Sequence, residues 1–113
     1  MTLGISLPYV CNMQALKIQI HGEVYQTGML YFLKQEAYEN NIMGCVFYYS
    51  DHSVIVFAEG EKQDLDNFIK ACGNGNNDSL VENFSVWRKP VQGYVSFDVL
   101  DKMESIKIKS EII

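Results

Sequence analysis

Two helical segments that each carry a single apolar stripe constrain this chain most. In the first, from about Gly28 to Asn41, Met29 or Leu30, Leu33, Ala37 and Asn41 recur at helical spacing, while Gln35, Glu36 and Glu39 lie off the stripe. In the second, from Glu61 to Cys72, Leu65, Phe68, Ile69 and Cys72 follow the i, i+3, i+4, i+7 pattern, with Lys62, Asp64, Asp66 and Lys70 turned outward. A one-stripe helix must bury that stripe against another layer. A chain of 113 residues has room for one core, so both stripes must lie on one sheet.

Strand segments surround these helices. Leu16 to His21, L-K-I-Q-I-H, alternates apolar and polar residues, the period of a strand with one wet face. Met43 to Tyr49 and Ser53 to Ala58 are rich in β-branched and aromatic residues and are separated by S-D-H, which predicts a hairpin. Gly73 to Ser79, G-N-G-N-N-D-S, is a loop signal. Leu80 to Arg88 resumes strand character, Pro90 interrupts it, and Tyr94 to Leu100 supplies a last short strand. The order β-α-β-β-α-β predicts an α+β ferredoxin-like sandwich, a four-stranded antiparallel sheet with two helices on one face plus terminal extensions. The expected division is an N-terminal extension over 1–12, a domain over 13–99 and a C-terminal tail over 100–113.

Charge and cysteine content narrow the function classes. Fourteen acidic against nine scattered basic residues give a net charge of -5, which argues against nucleic acid and anionic membranes, both of which need clustered Lys and Arg. No apolar run approaches the ~18 residues of a membrane span. Cys11, Cys45 and Cys72 are odd in number and widely spaced, so neither a disulfide framework nor a zinc site is indicated. Buried reduced thiols and a first segment without a charged n-region predict a cytoplasmic protein. His21, at a strand end, and His52, in a hairpin turn, lack partners at ligand spacing and read as spectators. No metal and no cofactor are expected.

The segment Gly22 to Leu30, G-E-V-Y-Q-T-G-M-L, followed by Ala37, G-C-V at Gly44 to Val46, S-V-I-V-F-A-E-G at Ser53 to Gly60, and Phe68, resembles an acylphosphatase without a gap from Gly22 to Gly60. Val81, Val86 and G-Y-V-S-F-D-V at Gly93 to Val99 are similar to that family's last strands. The resemblance covers Leu16 to Val99. It implies metal-free hydrolysis of the carboxyl–phosphate anhydride of small acyl phosphates. The implied site is a loop, G-x-V-Q-G-V-x-F-R, whose amides and terminal arginine cradle phosphate at a helix N-terminus. A strand asparagine then orients the attacking water. Gly22, Val24, Tyr25, Gln26, Thr27, Gly28, Met29 and Leu30 are the corresponding candidate anion or ligand loop.

This chain departs from the pattern at the positions that carry the chemistry. The arginine position is Leu30, the asparagine position is Tyr48, the second loop glycine is Gln26, and the tryptophan beside the strand glycine is Cys45. Loss of a bidentate guanidinium removes several kcal/mol (~3) of anion affinity and transition-state stabilisation. The only Lys or Arg between Gly22 and Gly60 is Lys34, one turn beyond Leu30. Flavin-binding BLUF photoreceptors share the topology, but their strand glutamine would fall at Val56.

The sheet also departs from expectation. If Val46, Val54, Val56, Phe84 and Val86 face the helices, alternation puts Phe47, Tyr49, Ile55, Phe57 and Trp87 on the opposite face. Apolar surface of that kind marks an interface or is covered by the chain itself, with Leu3 to Val10 and Ser105 to Ile113 as available covers. Base stacking on such aromatics would need basic surroundings, which are missing. The expected function is an acylphosphatase-like protein that has lost hydrolysis and acts through this face as a homo-oligomer or protein-binding module. The alternative is an atypical acylphosphatase acting on small acyl phosphates.

Overall fold

The computed structural model describes residues 13–101. Strand β1 (Met13–Glu23) leads into helix α1 (Met29–Glu39), the hairpin β2 (Met43–Ser50) and β3 (Ser53–Glu61), helix α2 (Lys62–Asn74), strand β4 (Leu80–Lys89) and the short strand β5 (Phe97–Val99). The sheet order is β4-β1-β3-β2-β5. β1 pairs antiparallel with both β3 and β4, and β2 pairs antiparallel with β3. β5 pairs parallel with β2, Gly44 opposite Phe97 and Val46 opposite Val99.

The ferredoxin-like α+β fold is therefore present, with one correction to the sheet: it is five-stranded and mixed rather than four-stranded and antiparallel. β5 reaches the edge opposite β4 because residues 90–96 cross the end of the sheet before Phe97 docks. That path is set by a tertiary anchor and leaves no period in the sequence. The extensions over 1–12 and 102–113, and with them both segments considered as covers, lie outside the described residues.

The helix stripes do what their spacing requires. Met29, Leu30, Leu33 and Ala37 of α1 and Leu65, Phe68 and Cys72 of α2 are buried. They pack with Ile18 and Ile20 of β1, Val46 of β2 and Val54 and Val56 of β3 in one core. Burying a Leu or Ile side chain contributes about 2 kcal/mol, so this cluster holds the helices to the sheet. The opposite face carries a smaller cluster of Cys45, Phe47, Ile55 and Phe57, against which Tyr94 and Leu100 pack.

That second cluster revises the expected interface. Phe47, Ile55 and Phe57 are at most 5% exposed, whereas Tyr49 and Trp87 are each 44% exposed. The face is thus not one open apolar patch. Trp87 lies under the Lys17 ammonium, 4.8 Å from the ring centroid. Among the described residues no helix is long and apolar enough to cross a membrane, and no cluster of His, Cys, Asp or Glu has the makings of a metal site.

Candidate active site and its occupied loop

The β1–α1 loop begins at Gly22, where the β1–β4 register shifts. Gly22 has φ +151°, and a Cβ there would overlap the Leu80 carbonyl, so the bulge that launches the loop requires glycine. Val24 is buried, and the chain then turns through Gln26 at φ 56° and Gly28 at φ 79°. Gln26 holds a left-handed conformation at the position where the family motif has glycine. For a residue with a Cβ this costs about 1 kcal/mol, so the loop keeps its shape without the residue that makes it easy.

Gly28 is the N-cap of α1, with no side-chain cap and no acidic residue in the first turn. Loop Gly73 to Ser79 supports this corner. Asn76 donates from Nδ2 to the Thr27 carbonyl at 2.7 Å, and Thr27 Oγ1 donates to the Val24 carbonyl at 2.7 Å. Ser79 Oγ receives the Asn76 backbone N–H at 3.2 Å and reaches Met29 Sδ at 3.5 Å. The loop-rich character of this segment is visible in sequence, but Asn76 as a prop for the candidate site is not.

Tyr48 decides what the loop can do. Its hydroxyl accepts the Gln26 backbone N–H at 3.1 Å and donates to the Val24 carbonyl at 3.3 Å. Its ring meets Tyr25 edge-on, with centroids 5.0 Å apart. The phenol therefore occupies a backbone amide in the concavity where the family motif would receive an anion. Leu30 is 7% exposed and belongs to the main core. No group at either position offers a charge to a phosphate or a polarising contact to a water.

Beside the loop lies a cleft of about 750 Å³ lined by Tyr25, Gln26, Gly28, Leu30, Tyr31, Tyr48, Tyr49 and the hairpin turn, closed on the far side by Val99 to Asp101. None of its lining residues is cationic, and Asp51 and Asp101 are acidic. Lys34 is exposed on α1 and does not line the cleft. His52 is exposed in the β2–β3 turn, where its carbonyl accepts the Gly22 N–H at 2.9 Å, so its role there is structural. The structure thus brings Tyr25, Gln26, Gly28 and Leu30 together with Tyr48. It places Val24 and Met29 beneath them in the core, and ties Thr27 through its hydroxyl to Val24 and through its carbonyl to Asn76.

A second loop also converges on one side chain, and the sequence reading assigned it no role. Glu59, 2% exposed on β3, accepts the backbone N–H groups of Gln92, of Gly93 at 3.0 Å and of Tyr94 at 3.1 Å. The available signal was its place in A-E-G. The carboxylate holds residues 92–94 over the sheet, which seats Tyr94 beside Cys45. Burial pushes the Cys45 thiol up to about 11, partly offset by its hydrogen bond with Tyr94. Burial likewise raises the Tyr94 phenol, with the neighbouring Cys45 adding to the shift.

An α+β sandwich in which two helices cover one face of the sheet, with the first β–α loop beside the second strand, is a ferredoxin-like fold. The acylphosphatase family model matches residues 16–99, and the chain belongs to the acylphosphatase family. It is 33% identical over 87 residues to the acylphosphatase of Thermotoga maritima, covering 77% of this chain and 97% of that protein. It is 34% identical over 87 residues to the acylphosphatase of Archaeoglobus fulgidus, covering 77% of this chain and 98% of that one. The crystal structure of acylphosphatase from Bacillus subtilis superposes with a TM-score of 0.75 at 29% identity, covering 78% of this chain and 99% of the other. Taken by themselves, these likenesses favour acyl-phosphate hydrolysis over a lost activity.

Proposed function

We propose that this chain is an acylphosphatase-family protein in which hydrolysis by the arginine–asparagine route has been lost. The observation that carries the reading is the Tyr48 hydroxyl bonded into the loop at Gln26 N and Val24 O, with Leu30 buried at the arginine position. An incoming phosphate would have to displace an internal hydrogen-bond partner and would gain no guanidinium in return. Two carboxylates line the cleft instead, and like charge disfavours a dianion there. The same cleft, walled by tyrosines, suits a neutral or cationic ligand better than an acyl phosphate.

The second reading is hydrolysis of the carboxyl–phosphate bond of small acyl phosphates, and the relatives' names support it better than they support loss. Under this reading the backbone amides of the loop and the uncapped N-terminus of α1 would bind phosphate unaided once Tyr48 swings away. Benzoyl phosphate turnover separates the two readings. The purified chain is compared with Leu30→Arg/Tyr48→Asn, with Tyr48→Asn alone, and with a family member that carries both residues. Turnover by the unmodified chain near that of the family member overturns the proposal. Turnover absent from the unmodified chain and gained in the double variant supports it, with circular dichroism reporting that each variant is folded.

A further inference from the structure

The cleft beside the β1–α1 loop is walled by aromatic rings and holds no positive charge. Four tyrosines line it: Tyr25 from the loop, Tyr31 from α1, and Tyr48 and Tyr49 from the end of β2. Tyr25, Tyr31 and Tyr49 are exposed, so a molecule entering the cleft meets ring surface. Tyr48 is fixed before any ligand arrives. Its hydroxyl is tied to the Gln26 N–H and the Val24 carbonyl, and the Tyr25 ring stands against it with the two planes 61° apart. Two rings at that angle make an ordered aromatic corner in the cleft wall.

Charge and hydrogen bonding choose among the ligands such a wall can take. Asp51 and Asp101 line the cleft and no Lys, Arg or His does, in a chain of net charge -5, so the field favours a cation over a neutral or anionic molecule. A metal ion or a primary ammonium is strongly hydrated and must exchange its water for oxygen acceptors. Two of the wall hydroxyls are already engaged. Tyr48 is bonded into the loop, and Ser50 Oγ shares a hydrogen bond with Ser53 Oγ at 3.0 Å and accepts the His52 N–H at 3.2 Å. Among the described residues no group of His, Cys, Asp or Glu gathers to hold a metal. A methylated ammonium makes no such demand on oxygen atoms, and the faces of tyrosine rings attract it through their quadrupole.

We propose that this cleft binds a small molecule carrying a quaternary ammonium group, seated against the corner of Tyr25 and Tyr48 with Asp51 supplying the opposite charge. The cleft volume of about 750 Å³ falls in the range of small-molecule sites and leaves room for the body of the ligand beyond its head group. The proposal rests on the reading that the loop does not take up phosphate, and it names the ligand class that replaces it.

Choline chloride is the probe, titrated into the isotope-labelled full chain by NMR at constant ionic strength. Saturable amide shifts are expected at Tyr25, Gln26, Tyr31 and Tyr49 to Asp51, with the choline methyl protons moved upfield by the rings. The neutral alcohol in which carbon replaces the choline nitrogen is expected to bind at least about tenfold more weakly. Tyr25→Ala is expected to weaken choline binding about fivefold and Asp51→Asn about threefold; both residues are exposed, and the amide spectrum reports that the variants fold. Absence of saturation, shifts scattered over the surface, equal binding of the neutral alcohol, or indifference to Tyr25→Ala each overturns the proposal. Inorganic phosphate, titrated separately, keeps the two failures apart. If neither probe binds, the cation site is overturned and the loss of hydrolysis stands. If phosphate saturably shifts the Gln26 and Gly28 amides, the underlying reading falls and the proposal falls with it.

Discussion

Two loops in this molecule are each held through backbone N–H by one side chain, and they differ in what holds them. At residues 92–94, three N–H groups converge on the buried carboxylate of Glu59. At residues 24–28, one N–H donates to the phenol of Tyr48, whose own O–H donates to the Val24 carbonyl. The first is a carboxylate held in an amide nest; the second is a loop N–H held by a phenol. The difference teaches that a loop's shape can be held by neutral hydrogen bonds and a prop from another loop as well as by a carboxylate. Gln26 still takes the left-handed turn, and Asn76 still braces Thr27. The clamp that seats the last strand is a carboxylate, and the group that holds the β1–α1 loop is a phenol.

The comparison is broken most directly at Glu59. Glu59→Ala removes three hydrogen bonds to a carboxylate that is itself 2% exposed, and because water can take over part of the load at the exposed Gln92 and Gly93 the expected loss is about 2 kcal/mol. Glu59→Gln keeps an acceptor oxygen but brings an NH₂ group against the same donors, so an intermediate loss is expected. Urea unfolding followed by Trp87 fluorescence measures both. If Glu59→Ala proves as mild as a surface substitution, residues 92–94 are held by something other than this carboxylate, and the contrast between the loops disappears.

Tyr48→Phe is the matching change at the other loop, and its expected cost is smaller, about 1 kcal/mol. The hydrogen bonds lost are neutral, and Gln26 is exposed, so water can take over its N–H. The ring that meets Tyr25 edge-on is retained. Amide hydrogen exchange at Gln26 is expected to accelerate while the core amides of β1 and β3 are unchanged. Unchanged exchange at Gln26 would mean that the phenol does not occupy the loop in solution.

What was legible in the sequence follows the range of the interactions that decide it. Leu33, Ala37, Leu65 and Phe68 announce their helices because helical period is local, and Ile18 and Ile20 announce β1 in the same way. Leu30 and Tyr48 were legible as departures because the family likeness runs ungapped through both. The bonds of Tyr48 to Gln26 and Val24 were not, since they span 22 and 24 residues and depend on how β2 lies beside the loop. The parallel placement of Phe97 to Val99 was hidden for a similar reason: three residues carry no period, and their address is set by the Glu59 anchor. That anchor also explains why Phe47, Ile55 and Phe57 read as an interface. Tyr94 and Leu100, which pack against them, arrive only after the chain has crossed the sheet.

The smallest effect tests whether the clamped loop seals what lies beneath it. Cys45 has its thiol pushed from the usual 9.0 to about 11, first by burial. At pH 8 a thiol of that kind is ionised to only about one part in a thousand, so labelling by a thiolate-specific reagent should be far slower in the folded chain than in urea. The sign of the accompanying stability change follows from the raised value. The fold favours the neutral thiol, so its contribution is complete below about pH 9 and is lost as pH rises toward about 11. Between pH 7 and pH 9 the unfolded chain begins to ionise first, at an expected cost of about 0.4 kcal/mol for this group. Cys45→Ala should remove that share of the pH slope, while the buried Cys72 and the half-buried Tyr94, also shifted upward, keep theirs. In Glu59→Ala, with residues 92–94 released, Cys45 should label at a rate nearer the unfolded one. Equal protection with and without the carboxylate would show that the seal over Cys45 does not depend on the clamp.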